Sequence, residues 1–210
     1  MTCICPTRAN RRRYLPTAIQ CFQGQTYPNK ELLILQDGKG EDLGSICRDQ
    51  PNVRFLRYPS ERAIGTKRNL CCELAMGEII LHWDDDDWSF SNRIREQVDA
   101  ILAGPPVAGY RTLHFFDERT GKAHEYRGGV QYVVGTSLAY RRSWWQEHKF
   151  RDFACGEDND FRDRARGVLA AMDGLGKMVA LTHGAGTSPR HINRTQWRSV
   201  DPSELPWRPT

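Results

Sequence analysis

The 210-residue chain lacks any run approaching the roughly 18 consecutive apolar residues of a membrane span. It has no basic start followed by an apolar stretch of export-signal type, no repeat of fixed period and no low-complexity tract. Charge of one sign is also scarce. Thirty Lys and Arg against 26 Asp and Glu leave a net charge of +4, too mild for a nucleic-acid footprint. The seven cysteines, Cys3, Cys5, Cys21, Cys47, Cys71, Cys72 and Cys155, form no CxxC pair, so zinc-ligand spacing is absent. Odd in number and mostly among apolar neighbours, they are expected to be reduced thiols of a cytoplasmic protein. No glycine lies between Pro6 and Arg13, which disfavours a nucleotidyltransferase-type phosphate loop after the first strand.

What remains fits one globular domain with a sizeable core: 39% hydrophobic residues, with aromatics at 10% spread along the chain. Apolar spacing predicts alternating strands and helices. Thr2 to Cys5 reads as a strand, with Cys3 and Cys5 on one face and Ile4 on the other. Tyr14, Leu15, Ala18, Ile19 and Phe22 mark a helix, and Leu32 to Leu35 a strand covered on both faces. Val53 to Tyr58 is a strand, Thr66 to Met76 a helix and Glu78 to Trp83 a strand; Ile94, Val98, Ile101 and Leu102 mark the next helix. Beyond, Val107 to Phe116 and Ala123 to Arg127 form a hairpin, and Gln131 to Tyr140 reads as a strand. A helix opens at Gly156-Glu157-Asp158, and Lys177 to Thr182 is the last strand. The expected class is α/β, a mostly parallel, Rossmann-like sheet flanked by helices, with a small antiparallel part in the second half. Residues 1–200 are expected as a single domain, with a nucleotide-side half at 1–103 and an acceptor-side half at 104–200. The tail at 201–210 carries Pro202, Pro206 and Pro209 and is expected to be extended or loosely attached.

In such sheets ligands bind beyond the carboxyl ends of the strands. Thr7, Asp37 and Asp84-Asp85-Asp86-Asp87 each lie just past a strand end. Four successive carboxylates repel one another, and a divalent cation relieves that; Mg²⁺ and Mn²⁺ take carboxylate oxygens together with substrate phosphates. A solvated acidic turn is the plainer reading, weakened by the apolar lead-in Ile79-Ile80-Leu81. Glu157-Asp158 at a helix start is either a cap or a general base toward a bound hydroxyl. Asp37-Gly38 is either a turn or the holder of a base or sugar edge. Arg62, Lys67 and Arg68 form a basic patch suited to a diphosphate, or a solvated face. Arg11-Arg12-Arg13 reads as a solvated helix start ahead of a phosphate-binding run. His183 follows the last strand, with His191 a weaker competitor, and becomes a candidate ligand only because a metal site is already suspected.

These stretches carry a resemblance. Cys5-Pro6-Thr7, Gln25-Thr26-Tyr27-Pro28 with Glu31-Leu32, Asp37-Gly38, Gly65-Thr66-Lys67-Arg68-Asn69 and Gly77-Glu78 come first in order. Asp84–Asp87 with Arg93, Arg141-Arg142, Gly156-Glu157-Asp158 and His183-Gly184 with Thr187-Ser188 follow. In order and spacing over about 180 residues they resemble family 2 glycosyltransferases of the GT-A fold. Arg8-Ala9 stands where many members carry an aromatic.

The resemblance implies a metal-dependent, inverting transferase moving a sugar, of hexosyl or N-acetylhexosaminyl type, from a nucleotide diphosphate donor, UDP-sugars being the default. The acceptor would be a glycan, a lipid-linked acceptor or a small molecule, with no nucleic acid involved and any membrane contact peripheral. It further implies donor contacts from Pro6, Thr7, Arg8, Asp37, Arg62, Lys67, Asn69, Asp84, Asp85 and Glu157. Mn²⁺ or Mg²⁺ would sit on Asp86 and His183, and Asp158 would be the catalytic base. A non-catalytic sugar-binding module on the same fold is the other reading.

Overall fold

The computed structural model describes residues 1–183 and 195–205. Strands β1 (Thr2–Arg8), β2 (Glu31–Asp37), β3 (Val53–Tyr58) and β4 (Ile79–His82) alternate with helices α1 (Leu15–Gln23), α2 (Gly44–Cys47) and α3 (Ile64–Leu74). A two-residue strand β5 (Trp88–Ser89) and helix α4 (Arg93–Leu102) follow. Then come β6 (Val107–Asp117), β7 (Lys122–Arg127), β8 (Ala139–Arg141), α5 (Arg142–Glu147), α6 (Glu157–Arg164), β9 (Leu169–Asp173), β10 (Met178–Thr182) and β11 (Trp197–Val200).

One mixed sheet runs β11-β7-β6-β8-β4-β1-β2-β3, with β9 and β10 paired to β6 and β5 to β10. The β4-β1-β2-β3 portion is parallel. Antiparallel pairing enters where β8 inserts between β4 and β6. β1 therefore lies at the switch point: the chain leaves it toward β2 and β3, then returns to β4 on its other side. Such a crevice is where open α/β sheets bind ligands.

The side-chain alternation of β1 divides the core. Cys3 and Cys5 face the cluster built by Leu15, Ile19 and Phe22 of α1 and Ile94, Val98 and Ile101 of α4. Ile4 faces the opposite cluster, where Cys71 and Cys72 of α3 meet Trp145 and Phe161. Both faces are covered, so β2 is buried at all seven positions, as its unbroken apolar run requires. Pro6 falls where β4 has already ended, since that ladder stops at Ile4–His82, and its missing N–H costs nothing on that side. Six cysteines are buried free thiols and Cys155 is exposed; burial pushes the Cys3 and Cys71 thiols up to about 12.

Four expectations need correction. Lys177 to Thr182 is not the last strand, because Trp197–Val200 (β11) follows it and pairs antiparallel with β7. Gln131 to Tyr140 is not one strand: it contains a 3-10 turn at Gly135–Ser137, and only Ala139–Arg141 pairs. The cause is polar, because this stretch spends its backbone carbonyls on buried side chains rather than on a ladder (Thr136 to Arg93, Ser137 to Gln97). Residues 201–205 are not loosely attached. Pro202–Glu204 form a 3-10 turn capped by the Asp201 carboxylate, and Leu205 is buried with Val179 and Val200. Arg11 is not a solvated arginine, as the site makes plain.

Candidate active site

The loop after β4 sorts its four carboxylates by direction. Asp87 turns inward, accepting from the Thr136 hydroxyl and, at 3.0 Å, from the Leu181 amide; burial pushes its carboxyl well above the usual range. Asp85 is also buried. It accepts from the Thr7 hydroxyl and from Arg11 Nε and Nη2, at 3.0 and 2.7 Å. Burial pushes Asp85 up to about 6 against the pull of Arg11. Asp86 and Asp84 remain at the rim, with side chains 13% and 30% exposed.

Asp86 meets His183 at the end of β10, with Oδ2 and Nε2 2.8 Å apart. The guanidinium of Arg11 touches both, Nη1 on His183 Nε2 and Nη2 on Asp86 Oδ2. His183 Nε2 is within reach of both, as a donor to the Asp86 carboxylate or as an acceptor from Arg11. Side by side, Asp86 and His183 offer a carboxylate oxygen and an imidazole nitrogen, donor types that a divalent cation accepts. Among the described residues no group of three or more His, Cys, Asp or Glu converges on one point. A cation on Asp86 and His183 would therefore take its remaining ligands from water and substrate.

On the β2 side the carboxylate of Asp37 is fully buried. It accepts from Lys67 Nζ at 3.0 Å and from the Arg62 amide at 2.8 Å, and Arg8 Nε lies 3.4 Å away. Lys67 is thus the counter-ion of Asp37; burial lowers its pKa while Asp37 opposes the shift. Arg62 is exposed over the Tyr58 ring, and Arg8 is half-exposed beside it. Asn69 points elsewhere: its amide donates to the Phe150 carbonyl and accepts from Trp145 Nε1 and the Phe150 amide. Those bonds pin α5 to α3 and leave Asn69 out of the expected donor contacts.

The Glu157-Asp158 pair opens α6 behind Gly156, which adopts φ +82°, a conformation glycine reaches without strain. Glu157 is buried and takes Arg68 Nε at 2.9 Å. Arg68 Nη2 lies 3.5 Å from Asp84, and Nη1 is buried with no hydrogen-bond partner among the described residues. Burial works against this arginine's charge, but Asp84, Glu157 and Asp158 outweigh it and raise its pKa. One cation therefore ties the acidic loop to the α6 carboxylates. Asp158 is half-buried, with its carboxylate packed on the Cα of Gly135, where a Cβ would overlap it. The Gly135 carbonyl in turn accepts from His82 Nδ1 at 2.8 Å, two residues before Asp84.

The model of Glycosyl transferase family 2 matches residues 2–163, more than three quarters of the chain. The chain belongs to glycosyl transferase family 2. Among curated relatives, the glycosyltransferase GlyG of Streptococcus pneumoniae is 27% identical over 132 residues, 60% of this chain and 43% of that protein. A putative glycosyltransferase, EpsH of Bacillus subtilis, is 30% identical over 82 residues, 38% of this chain and 24% of its own length. The chain thus spans less than half the length of these relatives. Among solved structures, S. aureus TarS 1–349 in complex with UDP-GlcNAc superposes with a TM-score of 0.73 at 16% identity, covering 91% of this chain and 61% of that one. The same fragment in complex with UDP gives 0.71. The fold is that of family 2, as the sequence implies, with the GT-A arrangement of parallel strands and flanking helices.

Within that frame most of the implicated residues gather on one rim: Thr7 and Asp85, Arg8 with Asp37 and Lys67, Asp86 with His183, and Asp84 with Glu157 through Arg68. His191, Gly184, Thr187 and Ser188 lie outside the described residues. Three participants escaped the sequence reading: Arg11, Gly135 and Thr136. Arg11 is the first of a run of three arginines whose other two, at 48% and 69% exposure, do face solvent. Gly135 and Thr136 carry no motif.

Proposed function

We propose that this chain is the transferase part of an enzyme moving a hexosyl or N-acetylhexosaminyl group from a nucleotide diphosphate donor, UDP-linked by preference, to an acceptor hydroxyl with inversion. Arg68 carries this reading. By bridging Asp84 and Glu157 it brings the acidic loop and the Glu157-Asp158 pair to a common rim, as a two-sided displacement requires. The donor side is assigned to Asp84, Asp86 and His183, the nucleotide to Pro6, Thr7, Arg8, Asp37 and Arg62. The family neighbours in complex with UDP and UDP-GlcNAc support that donor class.

Mn²⁺ or Mg²⁺ held by Asp86 and His183 would supply positive charge against the departing diphosphate. Asp86 and His183 contribute one oxygen and one nitrogen donor to it. Asp85 and Asp87, turned inward, act as struts of the loop rather than as ligands. Asp158, on the acceptor side, takes the acceptor hydroxyl proton as attack develops. Arg68 stays charged beside it and keeps Glu157 fixed.

The test is turnover of a UDP-sugar panel with product analysis. UDP release, not pyrophosphate, is expected, and the same assay separates a transferase from a nucleotidyltransferase or a non-catalytic sugar-binding module. Asp158→Asn is expected to lower kcat by at least about 10²-fold while UDP affinity by calorimetry changes less than about threefold. Unchanged turnover in that variant would overturn the assignment of the base.

A further inference from the structure

Arg11 ends a 3-10 turn, Ala9–Arg11, and its side chain is 15% exposed. It is positioned from three directions. Nε and Nη2 fork onto Asp85; the guanidinium lies 5.0 Å from the Tyr14 ring centroid; and Tyr14 stacks at 4.9 Å on His183. Its outer edge then reaches Asp86 Oδ2 and His183 Nε2, the pair assigned above to a divalent cation.

The Asp86 carboxylate, 2.8 Å from His183 Nε2, draws a positive charge to this pair. Here a protein side chain supplies it. We propose that Arg11 is a displaceable internal cation, occupying the Asp86–His183 seat until a nucleotide diphosphate and a divalent cation arrive together. The inference rests on the cation site proposed above and adds how that site is loaded.

Charge balance gives the order of events. The single positive charge of Arg11 is already divided between Asp85 and Asp86. A diphosphate adds further negative charge to the same rim, which one guanidinium cannot neutralise, and its oxygens supply the ligands that Asp86 and His183 lack. Diphosphate binding therefore favours the metal over the arginine. The Nε bond to Asp85 stays as a pivot, and Nη1 and Nη2 let go of His183 and Asp86 to face the phosphates. Metal and nucleotide then bind with positive coupling, since each removes a cost the other would bear alone.

The experiment measures Mn²⁺ binding by the EPR signal of the free ion, with and without saturating UDP, in the wild type, Arg11→Gln, Arg11→Lys and Arg12→Gln. In the wild type Mn²⁺ affinity should rise at least about fivefold with UDP. Arg11→Gln should bind Mn²⁺ at least about fivefold more tightly without UDP and lose most of that coupling. Arg12, paired with Glu41 at the surface, removes the same charge from the same turn without vacating the seat. Arg12→Gln should leave both quantities at wild-type values. Should Arg11→Gln not fold with Asp85 unpaired, Arg11→Lys carries the test: it keeps a charge against Asp85, cannot span three partners, and should shift in the same direction. Wild-type affinity in the foldable Arg11 variants without UDP, or an equal effect from Arg12→Gln, overturns the inference alone. If the wild type takes up no Mn²⁺ even with UDP, the cation site itself falls and this inference with it.

Discussion

His82 shows how far a single residue conditions the site. It is fully buried beneath the acidic loop, with Nδ1 donating to Gly135 and Nε2 3.3 Å from the Tyr140 hydroxyl. Burial, reinforced by the charges of Arg68 and Arg93, holds its pKa well below the ordinary value of 6.5. The native imidazole thus stays neutral at pH values where the unfolded chain takes up a proton. The stability it contributes is complete above about pH 6.5 and is lost as pH falls below it, by up to about 1.4 kcal/mol per pH unit. His82→Gln, which keeps a donor for Gly135, should lose less stability than the wild type between pH 7.5 and 5.5 in urea unfolding. Equal losses would show that the native imidazole takes up its proton as readily as the unfolded one. The residue scale is also where the sequence was least legible. Four aspartates in a row announce an acidic loop, but they are chemically identical. Only the fold decides that Asp85 and Asp87 turn inward to Arg11 and Thr136 while Asp84 and Asp86 stay at the rim. Lys67 and Asn69 likewise matched a basic, polar motif whose side chains proved to be spent on Asp37 and Phe150.

Among the elements, the 3-10 turn Gly135–Ser137 does the most per residue. Thr136 gives its hydroxyl to Asp87 and its carbonyl to Arg93, Ser137 gives its carbonyl to Gln97, and Gly135 supports both His82 and the Asp158 carboxylate. A side chain on Gly135 has to push Asp158 aside, while the donor rim, held by Arg11 and His183, is untouched. Gly135→Ala should therefore lower kcat on the order of 10- to 100-fold, with UDP affinity within about threefold of wild type. Wild-type kcat in a folded Gly135→Ala protein would show that the Asp158 carboxylate is not fixed by this contact. The turn was missed because its stretch, Val133 to Tyr140, is as apolar as a strand, and periodicity cannot register carbonyls diverted to buried side chains. Elements decided by their own side-chain period were legible. Val53–Tyr58 matches its expected bounds, and β2 and α4 differ by a few residues at the ends. The four-residue α2 and the half-buried β9 carry too little period to be seen.

At the scale of the whole molecule, the line drawn at residue 103 does not divide the sheet. β8, from the second half, pairs antiparallel with β4 through Ile79–Arg141, Ile80–Tyr140 and Leu81–Ala139, and on its other side with β6. The fully buried Arg93, from the first half, gives one Nη2 bond to the His82 carbonyl and another to Thr136 across that line. Residues 1–103 alone would bare the apolar edge of β4, leave part of the Arg93 guanidinium without an acceptor and strip the partners of His82. An unpaired apolar edge invites association, and a buried cation deprived of an acceptor is costly. The 1–103 fragment is therefore expected to show no cooperative unfolding and to self-associate, although it carries the whole acidic loop. The intact chain should unfold in one transition, with coincident midpoints by far-UV circular dichroism and tryptophan fluorescence. Buried Trp83 and Trp145 put a reporter on each side of the line. A soluble 1–103 fragment with its own cooperative transition would mean that the two halves are separate folding units, and that the rim shared by Asp86 and Asp158 is assembled by docking rather than by one continuous sheet.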